Sequence, residues 1–447
     1  MADLGELVRL LNELEEDMVC CTRCGMCQAV CPLYAETGRE TDVARGKLVL
    51  LENLSKKILD DPEAVKKRLD RCLLCGSCSA ACPSGVPILN IFLKARTIIT
   101  GYLGLSPLKK TVFRGFLANP ERFDRLLQWM GRLQGPFSKK VNESLDSSCG
   151  RFISPLIGNR HYPPIASSPW HQNLRGNSGS VPDPRLRVAF YPGCLVDKLM
   201  PRVADAAMKV LAHHRVDVFV AEQVPCCGMP ALAAGEQQTF EKLLRQNLRL
   251  LDAASFDYLL TPCATCTSTI KKLWPLMCGH MPDAVQKEVA ALSGKTRDIT
   301  EFLVDTLALD PPETGAPGEK TVTWHDPCHL RKSLGVYVQP RRLLQSLEGL
   351  QFVEMREADR CCGMGGSFNL EHYDLSRRIG QKKLLRIQES GADVVATGCP
   401  ACMLQITDLL SHAGSHTQVR HPVELYAEAL ESRAESPVAA GRDKLPL

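Results

Sequence analysis

Apolar positions along this chain recur with two different periods. Near the N-terminus Leu51, Leu54 and Ile58 fall at i, i+3 and i+7, which predicts an amphipathic helix. Asp61-Pro62 then reads as an N-cap followed by proline at the first helical position, starting a short helix toward Arg71. From residue 187 onward, short apolar or β-branched runs alternate with longer helical stretches. Residues 187–191, 216–220 and 257–261 read as strands, with helices over 203–212 and 237–251 between them. The same order returns in strands over 322–325, 352–355 and 393–397, with a helix near 375–389. Such alternation predicts βαβ units and parallel sheets.

The two regimes are joined by a segment of different character. Residues 106–140 carry eight Lys or Arg against two acidic residues, with Leu126, Leu127, Trp129, Met130 and Leu133 interleaved. A basic amphipathic helix of this kind lies on a membrane surface or a partner, or packs as a helical linker on the N-terminal domain. Residues 142–186, rich in Ser, Pro, Gly and Asn, read as a long loop-like linker. The polar stretch from Glu431 onward reads as a frayed tail. The expected domains are 1–105, a connecting region 106–186, 187–300, 301–430, and a flexible tail 431–447.

Composition narrows the chemistry. The 447 residues are 45% apolar and 23% charged, as in an ordinary globular protein, yet 21 of them are cysteine. The first 18 residues lack the basic flank and apolar run of a secretory signal. No stretch reaches about 18 uninterrupted apolar residues. The expectation is a cytoplasmic chain, peripheral at most to the inner face of the membrane. In that setting clustered cysteines bind metal or do redox chemistry rather than form disulfides. A net charge of +4 gives no electrostatic footprint for nucleic acid.

Eighteen cysteines fall into four groups. Cys21, Cys24, Cys27 and Cys31-Pro32 share the spacing C-x2-C-x2-C-x3-C-P with Cys72, Cys75, Cys78 and Cys82-Pro83. This is the run by which bacterial ferredoxins hold [4Fe–4S] clusters, the fourth cysteine of each run serving the other cluster. One cluster is therefore assigned to Cys21, Cys24, Cys27 and Cys82, and a second to Cys72, Cys75, Cys78 and Cys31. Zinc, which commonly takes two C-x2-C pairs, fits these runs poorly.

The other two groups are an internal repeat. Cys194, Cys226-Cys227, Cys263 and Cys266 correspond to Cys328, Cys361-Cys362, Cys399 and Cys402, at offsets of 134, 135 and 136 residues. The flanks PCCGMP and RCCGMG match as well. In each copy the cysteines follow predicted strand C-termini, where open α/β sheets bind ligands. Adjacent sulfurs strain to share one tetrahedral metal, and five thiolates exceed zinc's usual four. A multi-iron cluster accommodates both facts. Zinc with one spare cysteine and a vicinal redox disulfide remain open alternatives. Gly228 and Gly363, directly after the pairs, suit a tight turn with positive φ. His325 and His329 bracket Cys328, either to tune a cluster or move protons, or to bond nearby backbone. His213 and His214 are expected to face solvent. Cys20, Cys149 and Cys278 are left over, and no residue is nominated as catalytic.

Two ferredoxin-type runs followed by two C…CCG…C-x2-C repeats resemble the iron–sulfur subunits of glycolate oxidase (glycolate/D-lactate dehydrogenase complexes). The repeat, the CCG domain, is shared with heterodisulfide reductase. Arg45-Gly46, His325-Asp326-Pro327-Cys328-His329-Leu330 and Cys361-Cys362-Gly363 followed by Phe368-Asn369-Leu370 carry the resemblance further. It implies an α-helical two-cluster ferredoxin domain plus duplicated α/β parallel-sheet CCG domains. It also implies an electron-transfer subunit that is not catalytic alone. A separate FAD-binding subunit would oxidise a 2-hydroxy acid, and a quinone-side or other acceptor would receive the electrons. The glycolate oxidase group often replaces part of the last C-x2-C, whereas Cys399 and Cys402 are both present. The complete sets are closer to heterodisulfide reductase, in which the repeats hold noncubane clusters, and this gives the alternative of disulfide reduction at a repeat. The chain has no G-x-G-x-x-G after a strand and no P-loop, so it carries no sequence sign of its own flavin or nicotinamide site.

Overall fold

The structure is a computed structural model that describes residues 4–151, 158–174, 181–309 and 320–435. The N-terminal part is helical. Helices Leu4–Asn12, Ala44–Ser55, Pro62–Asp70 and Ile88–Leu103 enclose Leu7, Leu11, Leu51, Leu54, Leu69 and Ile91, all essentially inaccessible to water. Asp61 caps its helix as the sequence predicts, its carboxylate accepting the Ala64 N–H at 2.9 Å with Pro62 next in line. Ile58 departs from its predicted stripe. The helix stops at Ser55, the backbone turns through Lys57 at φ +58°, and Ile58 stands 69% exposed.

Each repeat builds one four-stranded, all-parallel sheet. In the first, β3 (Leu186–Phe190), β4 (Val216–Phe219), β5 (Tyr258–Thr261) and β6 (Thr296–Asp298) lie in the order β4-β3-β5-β6. In the second, β7 (Lys320–Trp324), β8 (Leu350–Phe352), β9 (Val394–Ala396) and β10 (Gln418–Arg420) lie in the equivalent order β8-β7-β9-β10. The duplication read from cysteine spacing is thus a duplication of topology. The strand order reverses between the first and third strands of each copy, and open α/β sheets place their ligands at such a switch point. Val188, Leu260, Val322 and Val395 are completely buried, as parallel strands covered on both faces require.

The three parts share their interiors. One apolar cluster runs from Leu7 through Ile99 to Leu232 and Phe240, joining the helical part to the first repeat. Another joins the two repeats, from Val203 and Val210 to Ile406 and Val423. Arg96 ties the first junction. It is 1% exposed, and its guanidinium donates to the carbonyls of Ala233 (2.7 Å), Cys72 (2.9 Å) and Leu69. Hydrogen bonds from a charged donor contribute about 1.5–3 kcal/mol each, so this residue fixes the second ferredoxin-type loop firmly against the first repeat.

The connecting region is less of a tether than its composition suggests. Residues 106–140 are helical over Pro107–Leu117 and Pro120–Phe137. Their ion pairs and hydrogen bonds run to the repeats: Arg114 with Glu236 at 2.9 Å and Lys242 with Asn119 at 2.9 Å in the first, and Lys109 with Glu371 at 2.8 Å in the second. A hairpin, β1 (Ser138–Asn142) with β2 (Ser147–Gly150), follows. The predicted loop-like linker is then a strap across both repeats. The His161 N–H donates to Asp408 at 2.7 Å and Arg160 to Asn369 at 3.0 Å in the second repeat. The Trp170 indole donates to Asp205 at 2.7 Å and the His171 N–H to Asp197 at 2.9 Å in the first. Regular structure also outlasts the predicted start of the tail. Helix Pro422–Glu435 carries Glu431, which pairs with Lys209 at 2.5 Å; the rest of the tail lies outside the described residues. No single helix among the described residues is long and apolar enough to cross a membrane.

Candidate metal centres

The ferredoxin-type cysteines gather around two cavities. Cys21, Cys24, Cys27 and Cys82 line one, with Arg23, Arg45 and Pro83. Cys31, Cys72, Cys75 and Cys78 line the other, with Asp42, Lys47, Ser77 and Phe92. The fourth cysteine of each run therefore lies with the first three of the other. Cys24 opens the first cavity to solvent. The second is deeper: burial pushes the Cys31 thiol up to about 11 and the Cys78 thiol well above its ordinary value. Lys47 is buried beside it and donates to the Asp42 carbonyl. Four thiols converging on one cavity, with Cys31 and Cys78 costly to ionise there, suit a metal group that takes them as thiolates.

The second cavity touches the second repeat. The Cys75 thiol packs beside those of Cys328 and Cys361. Lys332 spans the same junction, donating to Ser77 Oγ at 2.7 Å and to the Asp359 carbonyl at 3.1 Å. Burial works against its charge, but the sulfurs of Cys328, Cys75 and Cys361 outweigh burial and hold its pKa above the ordinary lysine value. Beyond it, Cys361, Cys362, Cys399 and Cys402 are buried. Lys383 is completely buried on the other side, donating to the Glu357 (2.7 Å) and Ala358 (3.0 Å) carbonyls, and burial brings its pKa down to about 8.

The first repeat continues the series. Cys194 and Cys226 have their sulfurs 3.9 Å apart, and Cys227, Cys266 and Cys263 follow in thiol contact. Cys263 meets Cys399 across the boundary between the copies. There the Ala264 N–H donates to the Gly398 carbonyl at 2.9 Å, and Thr265 Oγ lies 3.4 Å from Cys399 Sγ. The glycine after each vicinal pair has the positive φ its position suggested, +94° at Gly228 and +93° at Gly363. At Gly363 a Cβ would stand 2.4 Å from the Ser376 carbonyl oxygen.

Histidine roles separate. His329 bonds Thr265 Oγ at 3.1 Å and the Leu74 carbonyl at 3.3 Å, linking the ferredoxin-type unit and both repeats. His325 is completely buried, and neither ring nitrogen has a hydrogen-bond partner among the described residues. His213 is exposed as expected, but His214 is half-buried, its Nε2 2.7 Å from the Tyr426 hydroxyl. Of the leftover cysteines, Cys20 and Cys278 bond local carbonyls and Cys149 lies in β2. Lys332 and Lys383 escaped the sequence reading. Lys332 follows Cys328 by one helical turn, a usable signal; Lys383 comes from a distant helix and has none.

Two family models match the chain where these cavities lie: a 4Fe-4S dicluster domain over residues 17–86, and a cysteine-rich CCG domain twice, over 188–271 and 322–407. The "Lactate utilization protein A" of Geobacillus kaustophilus is 30% identical over 240 residues, 54% of this chain and 98% of that protein. This chain belongs to the CCG-domain iron–sulfur family. Another member, the "Probable glycolate oxidase iron-sulfur subunit" of Bacillus subtilis, is 28% identical over 445 residues, covering 95% of this chain and 98% of its own length. A component of the dihydromethanophenazine:CoB–CoM heterodisulfide reductase of Methanosarcina barkeri is 26% identical over 437 residues, covering 92% of this chain and 93% of its own. As a CCG-domain iron–sulfur protein, the chain is an electron-transfer subunit of an oxidoreductase complex, with 4Fe-4S clusters as cofactors.

Proposed function

We propose that the chain is the iron–sulfur subunit of a 2-hydroxy-acid dehydrogenase complex, acting on glycolate or D-lactate. A separate FAD-binding subunit supplies the electrons and a quinone-side acceptor takes them. The observation that carries this reading is the succession of thiol sites, from the cavity of exposed Cys24 to that of Cys75, which packs beside Cys328, and on to Cys399 and Cys263. Bound clusters supply one-electron carriers at these positions. Cys21, Cys24, Cys27 and Cys82 would hold one [4Fe–4S] group, and Cys31, Cys72, Cys75 and Cys78 the other. Cys194, Cys226, Cys227, Cys263 and Cys266 would hold a further centre, and Cys328, Cys361, Cys362, Cys399 and Cys402 its counterpart. The division at 105, 186, 300 and 430 belongs to the same proposal. Lys332 keeps positive charge where the ferredoxin-type loop meets the second repeat, and Arg96 holds that loop still.

The acceptor side is read from the surface. On helix Pro120–Phe137, Trp129, Met130, Leu133 and Phe137 are exposed, flanked by Arg122, Arg125, Arg132, Lys139 and Lys140. Both acids of that helix are engaged: Asp124 is buried against Lys198 at 2.6 Å, and Glu121 accepts from Gln223 at 3.1 Å. An apolar stripe with basic flanks suits the face of an anionic membrane, where a quinone is found.

The experiment is anaerobic purification with its neighbouring subunits, followed by glycolate- or D-lactate-dependent dye reduction. Activity that needs both this chain and an FAD subunit supports the proposal. A second reading is favoured by the complete five-cysteine sets and their meeting at Cys263 and Cys399: reduction of a disulfide at a repeat. Disulfide reduction by this chain without the FAD subunit would establish that reading instead.

A further inference from the structure

Five cysteines do not exhaust the donors of the second repeat. His325 follows β7 directly, and its N–H donates to the Ala396 carbonyl at 2.9 Å, extending the pairing with β9. The strand end thereby turns the imidazole inward. One ring nitrogen and the sulfurs of Cys362 and Cys402 all lie within 4.8 Å of one another. Among the described residues nothing else claims the ring. The neighbouring carboxylate, Asp326, is committed elsewhere, to the Trp324 indole at 2.7 Å, Arg331 at 2.6 Å and Arg341 at 2.9 Å. A completely buried imidazole with both nitrogens unpartnered is rare in a settled core. It is explained if one nitrogen binds metal. A nitrogen and a sulfur sharing one tetrahedral metal stand about 3.6 Å apart at ordinary bond lengths, a small adjustment from the observed grouping.

The first repeat treats the equivalent position differently. Tyr191 stands before Cys194 as His325 stands before Cys328. Its hydroxyl donates to the Pro225 carbonyl and is satisfied within the protein. The duplicated topology therefore encloses two unlike donor sets.

We propose that His325 is a nitrogen ligand of the metal centre of the second repeat, beside Cys362 and Cys402, so that the two repeats carry chemically different centres. The inference rests on the reading that this repeat holds metal. Imidazole is accepted by both iron and zinc. Replacing thiolate by neutral imidazole raises the reduction potential of an iron–sulfur centre, as in Rieske proteins. The second repeat is thus set at a higher potential than an all-thiolate ligand set would give.

The test uses the full chain, purified anaerobically with histidine-specific 15N labelling. Pulsed EPR (HYSCORE) is recorded on its oxidised and dithionite-reduced forms, with iron, zinc and sulfide measured on the same sample. The expected result is a strong nitrogen coupling from one histidine, lost in His325→Gln and kept in Tyr191→Phe. In His325→Cys, which keeps a ligand at the position should the glutamine variant fold poorly, the midpoint potential of that centre should move in the negative direction. For a zinc-loaded site, a nitrogen shell at the zinc absorption edge is the equivalent readout. A metal-loaded second repeat without histidine coupling, or with only the weak coupling of a hydrogen-bonded nitrogen, overturns the ligand assignment alone. A second repeat that holds no metal overturns both this inference and the reading beneath it.

Discussion

The Cys75 thiol of the second ferredoxin-type run contacts the Cys328 thiol of the second repeat, and Lys332 sits over the junction with its ammonium on Ser77. Two parts of the chain far apart in sequence thus meet at their sulfurs. The effect of losing a cysteine should depend on which side of that junction it lies. Cys24→Ser, at the exposed end, should remove one cluster signal from the low-temperature EPR spectrum and leave the rest. Cys75→Ser should remove the other ferredoxin-type signal and also alter that of the second repeat. Identical, unchanged spectra for both variants would contradict the assigned ligand sets.

Lys332→Met removes a positive charge beside three sulfurs. Reduction adds negative charge, so the midpoint potentials of the adjacent centres should fall. The lost bonds to Ser77 and Asp359 should cost about 1–2 kcal/mol of stability. An EPR-monitored redox titration checks the first effect and thermal unfolding the second. Potentials equal to wild type would show that the ammonium does not act on the centres.

Gly363→Ala should fail where Gly366→Ala survives. Both glycines have positive φ, +93° and +59°, so each substitution strains the backbone by about 1–3 kcal/mol. Only at Gly363 does the new Cβ meet backbone, 2.4 Å from the Ser376 oxygen and 3.1 Å from the Gly380 nitrogen; Gly366 faces open space. The clash brings the expected loss to about 2–5 kcal/mol, with metal lost from the second repeat. Metal content and unfolding midpoint of the two variants, compared side by side, decide the matter.

His214 gives a pH dependence that runs toward acid. Burial, helped by the neighbouring His213, lowers its pKa to about 4, whereas in the unfolded chain histidine titrates near 6.5. Between those values the unfolded state takes up a proton that the folded state refuses. Stability is therefore fully present above about pH 6.5 and falls as the pH is lowered toward 4. Because the ring is half-buried, the change should be on the order of 1 kcal/mol. The difference in melting temperature between wild type and His214→Gln, followed from pH 7 to 5, should narrow as the pH falls. A constant difference would count against it.

Legibility in the sequence followed the range of the interaction. Cysteine spacing gave four groups and their duplication because a metal group imposes its geometry on a few neighbouring residues. Strands such as Tyr258–Thr261 showed as apolar runs, while β6 and β10, three residues each with one apolar side chain between them, left no pattern. The strap has the composition of a loop-like linker because the partners that fix it, Asn369, Asp408 and Asp197, are contributed by distant elements. Arg96 and Lys383 resemble any helical basic residue until the carbonyls they satisfy are brought to them. His325 stands out in the sequence by its place beside Cys328, but its closeness to Cys362 and Cys402 depends on two strands pairing.

The exposure of Cys24 at one end of the series, against the burial of Cys263 and Cys399 in its interior, bears on how the protein ages in air. Molecular oxygen arrives from solvent, so bleaching should start at the group beside Cys24 and advance inward by stages. Partly damaged preparations would then lose visible absorbance and the ability to accept electrons before the innermost iron is released, and a sample can look half-dead while its core remains intact.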